Sequence, residues 1–341
     1  MIKRSRLLVI LALALSVMLA ITACTGGDTG EDNVEPEEQQ EAEDVGVEYP
    51  EDQITMIIQA APGGLSDTVA RTVAQELQND LGVPVVSVNK TGAAGAVAMS
   101  FLQGSNPDGY TIGYVPVELS MVKALGFAND VEPDAYTLLG RSNISPATIT
   151  VRADAPWDTV EEFLEYSKEN PGKVKVGNSG TGSIWHIAAA SVEEATGAKF
   201  NHVPFDGAAP AIAALMGSHV DAVTVSVSEV KSGVDSGELK VLGVLDEEKS
   251  PFFPDVPTLA EKGYDITVAA WGGFAAPKNL PKEVEDVLIP AIEKAIQSEA
   301  LKKIAEERAF TVAYQNGEDF YKFAKDQFDF YMKMIPEMDI N

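Results

Sequence analysis

Two stretches of the chain bring glycines, hydroxyls and helix starts together. Residues 60–71 read AAPGGLSDTVAR, and residues 177–186 read GNSGTGSIWH. Each follows a short apolar run, and each opens a helical pattern. Neither places a lysine or arginine in its loop, so the chemistry they offer is that of the backbone. Pro62, Gly63 and Gly64 shape a tight turn with no Cβ to hold a ligand away from the chain, and Ser66 or Asp67 is expected to cap the helix that follows. Gly180 and Gly182 repeat the pattern, with Ser183 as the cap. A helix start presents unpaired N–H groups and a partial positive charge. Two such starts converging on one crevice hold an anion without basic side chains. Asp67 suits a helix start as an acceptor, but its charge opposes a bound carboxylate. Its expected task is to fix the loop or to meet a donor or water on the ligand.

Other chemistries fit these residues poorly. A phosphate-binding loop needs lysine where Ser183 stands. A dinucleotide fingerprint fails because Trp185 takes the last glycine position, and a nucleophile elbow fails because Thr181 follows Gly180. His186 lies one turn into the second helix, where it is expected to donate to the ligand or to Ser183. A cleft serine, Ser179 or Ser183, with His186 leaves a hydrolase as the alternative, although no third orienting group accompanies the pair. A sensor module on the same scaffold is the other alternative. His202 and His219 stand alone, so no metal site and no cofactor are expected. Phe205 and Asp206 end a strand before GAAPAIAAL and are candidate ligand contacts. Trp271 reads as a packed aromatic at a chain crossover.

The elements that must position these residues alternate. Strands are expected at ITMIIQ, VPVVSVN, YTIGYV, TITVRA, VKVGN, KFNHVPF, AVTVSV and LKVLGVL. Helices are expected at 66–79, 94–104, 158–170, 183–196, 208–216, 256–262, 281–298, 299–308 and 317–335. Asp158 with Glu161 reads as a capping box, and Gly197 and Gly217 as helix stops. Such alternation means an α/β fold with largely parallel sheets, in which strand carboxyl ends open onto the ligand crevice. We place one lobe at 54–144 plus 272–341 and a second at 145–271. The chain then crosses twice, through RSNISPATITV and back through VAAWGGFAAPKNLP, where Gly272 and Gly273 suit a hinge.

Charge and the chain's first residues bound the setting. The sequence holds 25 Lys and Arg against 52 Asp and Glu, a net charge of −27. Such a chain does not bind nucleic acid through phosphates. MIKRSR followed by LLVILALALSVMLA and ITAC reads as a signal peptide, residues 1–24. Its end resembles a bacterial lipobox, which implies cleavage and lipid attachment at Cys24, the chain's only cysteine. Residues 25–53 carry 12 acidic and no basic residues and read as a disordered tether. The expected address is extracytoplasmic and lipid-anchored to the cell membrane.

Several blocks, in order, are similar to the extracytoplasmic solute receptors of tripartite tricarboxylate transporters, the Bug and TctC type. They are PGGLSDTVAR, VNKTGAAGAVAMSFLQGSNPDGYTIGY, NPGKVKVGNSGTGSIWHIAA, NHVPFDGAAPAIAALMGSHVDAV, FPDVPTLAEKGY and WGGFAAPKNLP. The resemblance implies a type II periplasmic-binding-protein fold, two α/β lobes closing on a small carboxylate, and delivery to membrane transporter subunits by a monomer that is not an enzyme. Carried over, it implies that Pro62, Gly63, Gly64, Ser66 and Asp67, with Ser179, Thr181, Gly182, Ser183 and His186, grip the carboxylate. The chain departs from the family at Thr91, Ala94, Asp206 and Glu118. Two extra carboxylates near the mouth, Asp206 and Glu118, suggest a ligand with a donor group or a co-bound cation.

Overall fold

The computed structural model describes residues 49–337. The signal peptide, Cys24 and most of the acidic tether lie outside the described residues. The core reaches back beyond the expected start at 54. Tyr49 is buried, its hydroxyl donates to the Gly109 carbonyl at 2.9 Å, and its ring meets Tyr110 edge-on. Among the described residues no helix is long and apolar enough to cross a membrane.

Strands β1 (Ile54–Ile58), β2 (Val85–Asn89) and β3 (Thr111–Pro116) pair in parallel, with β1 central. ITMII is almost wholly buried because helices cover both faces of the sheet. Helix α1 (Leu65–Leu81) packs Val69, Ala70, Val73, Ala74 and Leu77 inward as one stripe and stops at left-handed Gly82. Helix α2 (Ala96–Gln103) returns the chain to β3.

The next strand, β4 (Tyr136–Arg152), is far longer than the expected TITVRA and joins two sheets. Through Pro146 it pairs with β9 (Ala269–Pro277) and β10 (Thr311–Asn316). From Ala147 on it pairs with β7 (Ala222–Ser226) and β8 (Leu239–Leu245). Strands β5 (Lys175–Asn178) and β6 (Asn201–Pro204) extend the second sheet in parallel beyond β7. Helices α3 (Val160–Glu169), α4 (Ile184–Thr196), α5 (Ala208–Met216) and α6 (Val227–Asp235) belong to this half; α7 (Lys282–Ile296), α8 (Glu299–Arg308) and α9 (Gly317–Met334) follow the return through β9.

Both crossovers are therefore strands, and this changes the meaning of Gly272 and Gly273. Neither needs a positive φ. A Cβ on Gly272 would overlap the Tyr114 hydroxyl, and one on Gly273 would stand 2.5 Å from both the Gly140 carbonyl and the Phe320 ring. Side chains pack against the bare strand at both positions, so a larger residue is excluded there. Trp271, beside them in β9, is packed edge-on between Phe320 and Phe323.

Smaller departures have local causes. The cap of α3 is Thr159, which accepts the Glu162 N–H, while the Glu162 carboxylate accepts the Asp158 N–H. Gly217 ends α5 with φ −79, and Ser218 takes the left-handed turn instead. The expected helix at 256–262 shrinks to a 3-10 turn, Ala260–Lys262, ended by left-handed Gly263. Helix α6 was not expected, because VSEVKSGVD offers few apolar positions and an internal glycine. A Ser226–Glu229 capping box starts it, and Val227 and Val230 bury it.

We expect Gly272→Ala to destabilise the fold by at least ~2 kcal/mol through overpacking against Tyr114. Gly82→Ala, at φ 75 with open space around it, should cost only about 1 kcal/mol. Urea unfolding of the two variants checks the contrast.

Candidate functional site

The loops that follow β1 and β3 leave one end of the first sheet, and those that follow β5, β6 and β7 leave one end of the second. These are the strand ends where α/β sheets take ligands. In the first loop Asp67, buried to 4% exposure, is the organising residue. Its carboxylate accepts the Gly63 N–H at 2.9 Å, Arg71 Nε at 2.9 Å and Asn89 Nδ2 at 2.8 Å. Asn89 Nδ2 also reaches the Ala60 carbonyl at 2.7 Å. Burial works against the Asp67 charge, but donors from Arg71, Asn89 and Gly63 outweigh it and hold the carboxyl below its usual range. Asp67 thus ties the loop, and Arg71 offsets the charge that would oppose an anion.

The cap of α1 is neither Ser66 nor Asp67. Gly64 occupies that position and makes no side-chain cap bond. The N–H groups of Leu65, Ser66 and Asp67 have no protein acceptor among the described residues. The helix start is left open, and the Ser66 hydroxyl is free to approach the Tyr114 hydroxyl. Pro62, Gly63 and Gly64 are exposed, and Ser66 is half-buried.

The second loop is braced differently. The Gly180 N–H donates to Asn178 Oδ1 at 3.0 Å, and the Gly182 N–H donates to His186 Nδ1 at 3.1 Å. Ser183 caps α4 by accepting the His186 N–H at 3.2 Å. Burial first, then the neighbouring His202, pushes the His186 imidazole down to about 4. It is therefore neutral at ordinary pH, as an acceptor nitrogen must be. The His186 ring is a brace under the loop, and only the backbone N–H of His186 donates to Ser183. This leaves the hydrolase alternative without a base, because His186 Nδ1 faces Gly182 and neither cleft serine. Behind it, His202 pairs with Glu193 at 3.2 Å. The N–H groups of Ile184 and Trp185 have no protein acceptor among the described residues. Fully buried Asn178 leaves its Nδ2 without a partner.

Thr181 is exposed, and Ser179 and Ser183 are half-buried on the same loop. Phe205 joins this loop through its N–H, which donates to the Asn178 carbonyl at 3.0 Å. Its ring lies over Gly177. Asp206 is exposed and has no hydrogen-bonding or ionic partner among the described residues.

The segment that follows β3 reaches toward the second loop. Tyr114 lies in β3, and Glu118 follows just beyond it. Glu229 of α6 accepts the Ser226 N–H at 2.9 Å and the Ser226 hydroxyl at 2.7 Å. Leu125 also packs against Gly182, at 2.8 Å from where a Cβ would stand. The Tyr114 hydroxyl donates to Asn143 Oδ1 at 2.9 Å, and Ser142 bonds both Asn143 and the Gly272 carbonyl, so this line is anchored on both crossover strands. Sequence reasoning missed Tyr114, Trp185 and Glu229. Only Glu229 carried a signal, the spacing Ser226–Glu229 of a capping box.

Two α/β halves sharing crossover strands define a type II periplasmic-binding-protein fold. The chain belongs to the tripartite tricarboxylate transporter receptor family, whose model matches residues 69–340. Protein BugT of Bordetella pertussis is 32% identical over 262 residues, covering 74% of this chain and 79% of that one. The crystal structure of a TctC solute-binding protein from Polaromonas is 38% identical, with a TM-score of 0.73 over 85% of this chain and 99% of that one. MatC of Rhodopseudomonas palustris, solved with bound malate, shares the fold at 24% identity and a TM-score of 0.74, over 84% of this chain and 100% of that one. The family is one of transporter receptors, and the Polaromonas relative is a solute-binding protein.

Glu118 is half-buried. Burial, then the charge of Glu229, pushes its carboxyl up to about 7. Its folded pKa exceeds its unfolded value, so its contribution to stability is fully present below about 4.5 and is lost as pH rises through about 7. We expect Glu118→Gln to raise the melting temperature at pH 8 and to leave it nearly unchanged at pH 5. An equal shift at both values would contradict the assigned burial.

Proposed function

We propose that this protein is a lipid-anchored extracytoplasmic receptor that captures a small carboxylate between two lobes and delivers it to tripartite-type membrane transporter subunits. The observation that carries the reading is the pair of helix starts, Leu65–Asp67 and Ile184–Trp185, each behind a glycine loop at a strand end and left without protein acceptors among the described residues. Five N–H groups and two helix dipoles supply what a carboxylate needs. They do so although the chain as a whole is acidic, because donors in a closed cleft are screened less than exposed charges, which fade over ~8 Å at physiological salt.

In this reading the lobes comprise 54–144 plus 272–341 and 145–271, hinged at β4 and β9. Pro62, Gly63, Gly64 and Ser66 line one wall. Ser179, Thr181, Gly182, Ser183 and Phe205 line the other, with Asp206 at its rim. Asp67 and His186 act through the loops they brace. Ligand binding favours the closed form, which the transporter subunits then engage. Lipid on Cys24 keeps the monomer at the cell membrane, and the acidic tether, read from the sequence at 25–53, sets its reach.

A melting-shift screen tests the reading. A cognate acid at 100 times its Kd should stabilise the fold by ~2.7 kcal/mol. Ser183→Asp keeps a capping side chain but sets a negative charge at the α4 start. It should abolish the shift while the protein stays folded. A full response from Ser183→Asp, or none from wild type across mono-, di- and tricarboxylates and amino acids, would refute the receptor assignment.

A further inference from the structure

Gly182 is held from two sides, and only one of them belongs to its own half of the molecule. Its N–H donates to the His186 ring at 3.1 Å. Its Cα faces Leu125: one Leu125 methyl stands 2.8 Å, and the other 3.5 Å, from where a Cβ would be. Gly182 is accordingly buried, although Thr181 before it is exposed and Ser183 after it is half-buried. Its left-handed φ of 75 already favours glycine. The Leu125 contact excludes a larger residue independently.

Leu125 reaches Gly182 from the other half. It follows β3 of the first sheet, whereas Gly182 follows β5 of the second. The arm that carries it is fixed to its own side. Leu119, Met121 and Val122 are fully buried, and the Ser120 hydroxyl donates to the Ala324 carbonyl of α9 at 2.8 Å. Lys123 pairs with Glu132 and lies over the Phe328 ring. Turn bonds set the tip, from the Leu125 N–H to the Met121 carbonyl at 3.0 Å and from the Phe127 N–H to the Val122 carbonyl at 2.9 Å. Such an arm does not follow the second half when the halves swing apart on β4 and β9. The Leu125–Gly182 contact therefore belongs to one arrangement of the halves only.

We propose that Leu125 is a positioning residue for ligand capture: its side chain docks on Gly182 when the halves close, and so couples closure to the shape of the second anion-binding loop. This rests on the receptor reading above and names a contact that its closed form uses. A contact made only in the closed form favours that form, and by linkage it tightens any ligand that binds there. Release then requires Leu125 to leave Gly182, so the contact acts on dissociation more than on association.

Calorimetry, stopped-flow fluorescence and hydrogen exchange by mass spectrometry on the purified protein test it. The probes are acetate, hexanoate, succinate, malate, adipate, citrate and glutamate. For the tightest of them, Leu125→Ala should weaken binding by about tenfold, mostly through faster dissociation. Leu125→Met, long enough to reach Gly182, should recover most of the loss. Without any acid present, Leu125→Ala should speed amide exchange in 177–186 as well as in 117–128. Gly182→Ala should weaken binding too. In that background Leu125→Ala should cost much less than in the wild type, as for residues in direct contact. Wild-type dissociation in Leu125→Ala, or exchange that rises in 117–128 alone, would reduce Leu125 to local packing and overturn the proposal, leaving the receptor reading standing. Silence from every acid in the wild type overturns the receptor reading and this proposal with it. The Leu125 variants decide the matter even if Gly182→Ala does not fold.

Discussion

A helix start whose first amides have no partner is an electrostatic element made without a charged side chain, and in this fold two of them, at α1 and α4, stand behind glycine loops. Side-chain capping takes only the third amide, as Thr159 does for α3 and Ser298 for α8. At α1 the cap position is glycine, and at α4 the serine cap takes only the third amide. The loops still need rigidity, so it comes from within. Asp67 binds Gly63, Arg71 and Asn89, and His186 accepts from Gly182. In each half a residue on the helix holds the glycine loop in front of it and leaves the neighbouring amides free. Pre-organisation of this kind lowers the ordering cost of binding.

The crossover strands tie that local device to the fold. Tyr114 stands against the bare face of Gly272 and bonds Asn143 on β4, while Ser142 spans to the Gly272 carbonyl. Gly272 of WGGF serves this contact and lets a tyrosine from β3 lie flush on β9, while Gly273 leaves room for Phe320 and the Gly140 carbonyl.

Much of this was legible in the residues. The apolar runs gave most strands because parallel strands buried on both faces leave a continuous signal, as ITMII does. Both glycine loops, the helices behind them and the family blocks could be read directly. Other features were hidden for physical reasons. The first half of β4 and all of β9 and β10 are mixed in composition and are strands because of their neighbours. The cap of α1 was misassigned because Ser66 and Asp67 both suit such a position, and only tertiary contacts, Tyr114 for one and Arg71 for the other, decide their roles. Glu118 was visible as an unusual carboxylate, but its burial depends on residues far along the chain, and no local pattern shows it.

The central claim is that backbone amides of two opposed helix starts bind the anion. Amide NMR of the ¹⁵N-labelled protein during titration with its tightest-binding carboxylate tests it most directly. The account predicts that Leu65, Ser66, Asp67, Ile184 and Trp185 show the largest downfield proton shifts, all saturating at one ligand concentration. Saturation with these five amides unmoved, or with only one of the two helix starts responding, would contradict it.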